Sequence, residues 1–173
     1  MHKILISACL LGENVRYDGD HSLINSIYLK QWQQQGRLFS LCPEVAGGLS
    51  VPRPAAEIDA GDAEAVIRGA GRIRQRDGQD VSDAFMAGAE KALALCMQHH
   101  IHIAILKEGS PSCGVKKVND GSFSGMKING QGVTARLLAK HGIAVFSEFE
   151  IATAAEQLMA WETDREGIEH GES

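Results

Sequence analysis

Short apolar runs alternate with amphipathic stretches along this chain, and that alternation restricts its fold more than any other feature. Residues 4–8 (ILISA) have strand length and no polar face, which suits a strand buried on both sides. Residues 21–35 then carry Leu23, Ile24, Ile27, Tyr28 and Trp32 at helical spacing, with Asp20 or Ser22 as the cap and Gly36 as the stop. Residues 37–41 read as a second strand. Asp80 or Ser82 opens a long helix to about residue 98, with an apolar stripe of Phe85, Ala89, Leu93 and Cys96 or Met97. A strand at 101–106, a helix at 134–140 stopped by Gly142, a strand at 143–146 and a helix at 151–161 complete the series. The pattern predicts an α/β fold: a mostly parallel sheet flanked by helices, a Rossmann-like three-layer sandwich.

Two stretches break the rhythm. Residues 61–80 are charged and contain glycine, and read as an excursion or hairpin with small strands at 65–67 and 71–74. The other stretch is glycine-rich. Nineteen glycines in 173 residues is about 11%, against a usual ~7%. The excess falls at Gly47-Gly48 and between Gly109 and Gly132, as expected of functional loops. Asn129-Gly130 is a turn signal, and Gly121, Gly125, Gly130 and Gly132 suit a mobile lid or hairpin. Length predicts a single domain over residues 1–164, followed by a polar tail at 165–173.

Composition excludes several functions. With 44% apolar and 23% charged residues the chain has an ordinary globular balance. The net charge of −5, without a basic block, argues against a large nucleic-acid partner. No run approaches the roughly 18 apolar residues of a membrane span. Ile6-Ser7-Ala8-Cys9 faintly resembles a lipoprotein cleavage box, but it comes too early to leave room for a signal core ahead of it. A buried first strand accounts for the same residues, so a cytoplasmic location is expected. His99, His100 and His102 fall where the long helix ends, and favourable contact with its C-terminus explains them.

The four cysteines, Cys9, Cys42, Cys96 and Cys113, form no C-x-x-C pair. Their placement carries the signal. Cys9 directly follows the first strand, Cys42 the second, and Cys113 lies in the loop after the strand ending near Leu106. In a parallel sheet these loops emerge at one carboxyl edge, where open α/β folds bind ligands. Cys96 lies instead on the apolar face of a helix, where a thiol behaves as a small hydrophobe. Three soft donors suit an iron–sulfur cluster with one iron left open, three-cysteine zinc with an open site, or a single reactive Cys113. A cluster or zinc carrier, or a redox sensor, would use the same three residues.

Their neighbours are polar. Cys42 is followed by Pro43 and Glu44, a carboxylate placed to move a proton beside a bound substrate or to pair with Arg53. Cys113 sits in Ser110-Pro111-Ser112-Cys113-Gly114, whose hydroxyls suit a substrate oxygen, cluster sulfurs or a tight turn. Arg16, Tyr17 and Asp18 follow the first cysteine as a pocket seal or a solvated loop.

The segments SACLLGENVRYDG, LCPEVAGGLSVPRPAAEI, AILKEGSPSCG and GSFSGMKINGQGVTARLLAKHGIAVFSE resemble the thiouracil desulfidase family. The likeness runs from about Ile4 to Glu148, with Ala55 standing where a second proline is expected. It implies a [4Fe–4S] cluster held by Cys9, Cys42 and Cys113 at the C-terminal edge of the strands, with one iron not bound by protein and Cys96 outside the site. It implies removal of sulfur from 2-thiouracil-type bases to give uracil, with hydrosulfide as the product on the open iron. Glu44 and Ser110 fall on the positions it suggests for catalysis, and Ser112, Ser7 and Arg53 beside them are the substrate-binding candidates. Longer relatives carry an additional C-terminal domain and act on thiolated nucleosides, so the short single-domain form, a monomer or weak homo-oligomer, is expected here.

Overall fold

The computed structural model describes residues 1–170, with side chains through Asp164. In chain order the first half contains β1 (Ile4–Ser7), α1 (Ile27–Gln34), β2 (Leu38–Leu41), α2 (Pro43–Ala46), β3 (Ala56–Ile58), α3 (Ala63–Ile67) and β4 (Ile73–Gln75). The second half contains α4 (Ser82–Gln98), β5 (Ile103–Leu106), β6 (Lys117–Asn119), β7 (Lys127–Asn129), α5 (Val133–Lys140), β8 (Ala144–Ser147) and α6 (Ile151–His170).

The main sheet is parallel throughout, in the order β2-β1-β5-β8. The chain leaves β1 toward β2 and returns to β5 on the opposite side. The strand order therefore reverses between β1 and β5, the place where such sheets open a crevice at their carboxyl ends. The strands alternate between two apolar layers. Ile4, Ile6, Ile103 and Ile105 pack on one face with Leu29 and Trp32 of α1 and Ala154 and Leu158 of α6. Leu5, Ala104 and Leu106 pack on the other with Ala92 and Cys96 of α4 and Leu138 of α5. A smaller cluster joins the antiparallel β3–β4 hairpin and α3 to Phe85 and Ala89 of α4. The three-layer α/β expectation holds, and Cys96 is in the core, 1% exposed.

Local differences have identifiable causes. The first helix starts at Ile27, capped by Ser26, and not near residue 21. The N–H groups of Ser22 and Ile24 bond instead to the carbonyls of Cys9 (2.8 Å) and Leu10 (3.1 Å), which holds this segment extended beside the first cysteine loop. Residues 65–67, expected as a strand, belong to α3, because the Asp62 side chain accepts from Ala65 N and starts a helical turn. The strand expected near 71–74 exists as β4, but its partner is β3. The glycine-rich stretch forms the β6–β7 hairpin with its turn between Asn119 and Lys127, so Asn129-Gly130 ends a strand and does not make the turn. Its tip is not free: Glu57 Oε1 accepts from Gly121 N (3.0 Å) and Phe123 N (3.1 Å), tying it to β3. The last helix continues into the polar stretch expected as a tail, and 171–173 lie outside the described residues.

Candidate active site

Three loops at the carboxyl edge of the sheet enclose a cavity of about 310 Å³, lined by Cys9, Cys42 and Cys113 among others. Cys9 lies in a 3₁₀ turn, Ala8–Leu11, directly after β1. Cys42 is the N-cap of α2, which Pro43 opens. This short helix is seated on α4 by an approach that only glycine permits. A Cβ on Gly88 would lie 1.9 Å from the Pro43 carbonyl oxygen, and one on Gly47 would lie 2.0 Å from that of Ala84. Cys113 follows β5 in a turn closed by Ser110, whose Oγ accepts from Ser112 N (3.0 Å) and Cys113 N (3.1 Å).

An unanticipated carboxylate holds the third loop in shape. Glu108 Oε1 accepts from the backbone N–H groups of Gly109, Val115, Lys116 and Lys117, at 2.8 to 3.2 Å. Burial pushes the Glu108 carboxyl up, but these N–H groups outweigh it and hold it below the usual range. Glu148, just past β8, in turn accepts from Glu108 N (2.8 Å) and pairs with Lys107 Nζ at 3.3 Å.

All three cavity thiols are pushed up by burial. Cys9 rises to about 11, with Cys42 adding to the burial effect while Lys107 and Arg16 oppose it. Cys42 rises although the N–H groups of Val45 and Glu44 favour its thiolate. Cys113 rises furthest in spite of a bond from Ser7 Oγ at 3.4 Å, and Glu44, Cys42 and Cys9 add to its shift. The thiols thus feel one another: ionising one makes the next harder to ionise. A cationic occupant that displaces their protons relieves both penalties. A lone thiolate nucleophile at Cys113 has no such support, since burial in this setting opposes it.

Glu44 and Arg53 form a shielded ion pair, Oε2 to Nη2 at 2.7 Å, with side chains 16% and 4% exposed. Arg53 also donates to the carbonyls of Ser50 (3.0 Å) and Val15 (2.9 Å). The Cys42 thiol donates to the same Val15 carbonyl at 3.8 Å, so Arg53 joins the first two cysteine loops. Arg16 and Tyr17 line the cavity, with Arg16 paired to Asp18 at 3.6 Å.

A family model for 2-thiouracil desulfurase matches residues 4–150. The chain belongs to the 2-thiouracil desulfurase family. One relative is the uncharacterized protein YbbK of Bacillus subtilis (strain 168). It is 43% identical over 148 residues, which cover 86% of this chain and 97% of YbbK. A solved structure, described as the [4Fe-4S]-dependent thiouracil desulfidase TudS, is 44% identical. It superposes with a TM-score of 0.85 and covers 92% of this chain and 99% of its own.

In this member of the family the expected site residues have different situations. Cys9, Cys42, Cys113, Glu44, Ser110, Ser7 and Arg53 all border the cavity. Ser112, expected at the substrate, does not. It is 1% exposed, with its hydroxyl 2.7 Å from that of Thr134 on α5. Ser7 Oγ is committed to Cys113 Sγ and to Lys107 N (3.0 Å). The two terminal nitrogens of Arg53 are occupied by Glu44 and two carbonyls, while its buried Nε has no partner among the described residues. Missing from the sequence reading are Lys107 and Glu108. Both precede SPSCG in the same loop, so adjacency to the motif was their available signal.

Proposed function

We propose that this chain removes sulfur from 2-thiouracil-type bases by replacing thiocarbonyl sulfur with oxygen from water, using a [4Fe–4S] cluster held by Cys9, Cys42 and Cys113. The observation that carries this reading is the convergence of three protonated, mutually coupled thiols from three separate loops on one cavity. The donor set fits the cluster: all three are soft sulfurs, and each needs a cationic partner to ionise. Among the described residues, no three His, Cys, Asp or Glu side chains are grouped to hold a single metal ion. Three-cysteine zinc is separated from the cluster by the iron and acid-labile sulfide assay.

Held by Cys9, Cys42 and Cys113, the cluster would have one iron without a protein ligand and would supply a soft Lewis acid for the thiocarbonyl sulfur. The chain's own residues supply the rest. Glu44, fixed by Arg53, takes a proton from the attacking water. Ser110 Oγ accepts two backbone N–H groups, leaving its O–H to donate to the oxygen that forms on the ring carbon. Ser7 donates to the Cys113 sulfur and Arg53 braces the first two loops, so both position the site and neither grips the ring. The balance is C=S plus H₂O giving C=O plus H₂S. No electrons are transferred. All four cysteines are free thiols, which suits the reducing cytoplasm in which we place the protein. No described helix is long and apolar enough to cross a membrane.

Anaerobic isolation, iron and acid-labile sulfide assay, and incubation with 2-thiouracil test the proposal. Cys9→Ser, Cys42→Ser and Cys113→Ser should each lose cluster and activity, whereas Cys96→Ser should keep both. A wild-type protein that holds its cluster but releases no sulfide from 2-thiouracil would point to the carrier or sensor instead.

A further inference from the structure

Part of the cavity wall comes from the antiparallel β3–β4 pair, and it contains one side chain without an assigned purpose. Gln75 ends β4, paired with Ala56 of β3, on the same inward face as the fully buried Ile73. Its backbone is locked by bonds between Gln75 N and Gln79 O, and between Gly78 N and Gln75 O, both 2.9 Å. Its side chain is 8% exposed and lines the cavity, yet the amide makes no hydrogen bond among the described residues. A core-facing strand position ordinarily takes an apolar residue, as Ile73 does; the Gln75 amide is tolerated there because its polar atoms remain accessible at the cavity. The cavity lining also includes the apolar Leu49, Val81 and Phe85, and Ala56, its cross-strand partner. A neutral amide in an apolar wall matches a flat, uncharged ring that presents one donor beside one acceptor.

We propose that Gln75 is a specificity-determining residue that reads the lactam edge of the substrate ring. Its amide oxygen accepts the ring N–H, and its amide nitrogen donates to the adjacent ring carbonyl. The proposal rests on the desulfidase reading and adds which edge of the base is recognised. A ring methylated at that nitrogen loses the donor and leaves the amide oxygen unpaired, so the site discriminates against it.

The test uses cluster-loaded wild type and Gln75→Met, which keeps length and volume while removing both polar atoms. Uracil affinity is measured by titration calorimetry, and KM and kcat with 2-thiouracil and 3-methyl-2-thiouracil. Gln75→Met should weaken uracil binding and raise KM for 2-thiouracil by roughly 10- to 100-fold, the scale of two lost hydrogen bonds. Its kcat and iron content should stay close to wild type, and its preference for the unmethylated ring should disappear. Unchanged uracil affinity in Gln75→Met, or a preference that persists, overturns the proposal. Wild type alone provides a second arm if the variant fails to fold: equal KM for the two thiobases overturns it as well. Wild type that converts neither thiobase sinks the desulfidase reading itself, a distinguishable failure.

Discussion

Single side chains in this site divide into those with a free reactive atom and those already committed. Glu44 bonds Arg53 through Oε2 at 2.7 Å, while no bond occupies its other carboxylate oxygen. A Glu44→Gln variant keeps an oxygen for Arg53 but loses the proton acceptor. It should retain the cluster's absorption and lose turnover by about 10²-fold or more, read by sulfide release. Near-normal turnover would remove Glu44 from the proton path. Serines in one short motif show the opposite division. Ser110 borders the cavity, whereas Ser112, two residues on, is buried against Thr134. The letters S-P-S-C carry no indication of which hydroxyl faces inward; that depends on how the turn closes on α5.

Elements act here as mounts for individual residues. Helix α2 is four residues long, too short to be stable alone, and it keeps Cys42 and Glu44 in place by lying against α4. Gly88→Ala inserts a methyl group where the Pro43 carbonyl already sits. We expect a loss of about 1–3 kcal/mol in thermal or urea unfolding, with reduced iron retention because Cys42 moves with α2. Wild-type iron content and melting in this variant would show that the contact does not fix the helix. The Cys113 loop is mounted differently, on the Glu108 carboxylate. Its ordinary value of 4.5 is lowered in the folded protein. Its stabilisation is therefore present above about pH 4.5 and is lost as pH falls through the lower folded value. Wild type should exceed Glu108→Gln in urea midpoint at neutral pH, in cluster-free protein, and the gap should close on acidification. A gap that is constant from neutral to strongly acidic pH would assign the bracing to shape and not to charge.

At the scale of the whole molecule the strand order gathers distant residues, because β1 and β5 flank the point where that order reverses. An occupant bound at all three cysteines ties together the loops after β1, β2 and β5. Cluster-loaded protein should melt several degrees above the cluster-free form under anaerobic scanning, given that 1 kcal/mol is worth about 2–4 °C at this size. Cys96→Ser should leave that difference intact; a melting temperature indifferent to the cluster would mean the loops are rigid without it. The sequence by itself determined the alternation of buried strands and amphipathic helices, the placement of three cysteines directly after strands, and the burial of Cys96, since each follows from local periodicity and one topological rule. Tertiary structure alone decided that 21–26 are pulled straight by the Cys9 turn, that Ser112 faces α5, that Arg53 reaches Val15, and that Gln75 faces the cavity. Each of these turns on a partner far away in the chain, and periodicity along the sequence holds no record of what a side chain meets across space.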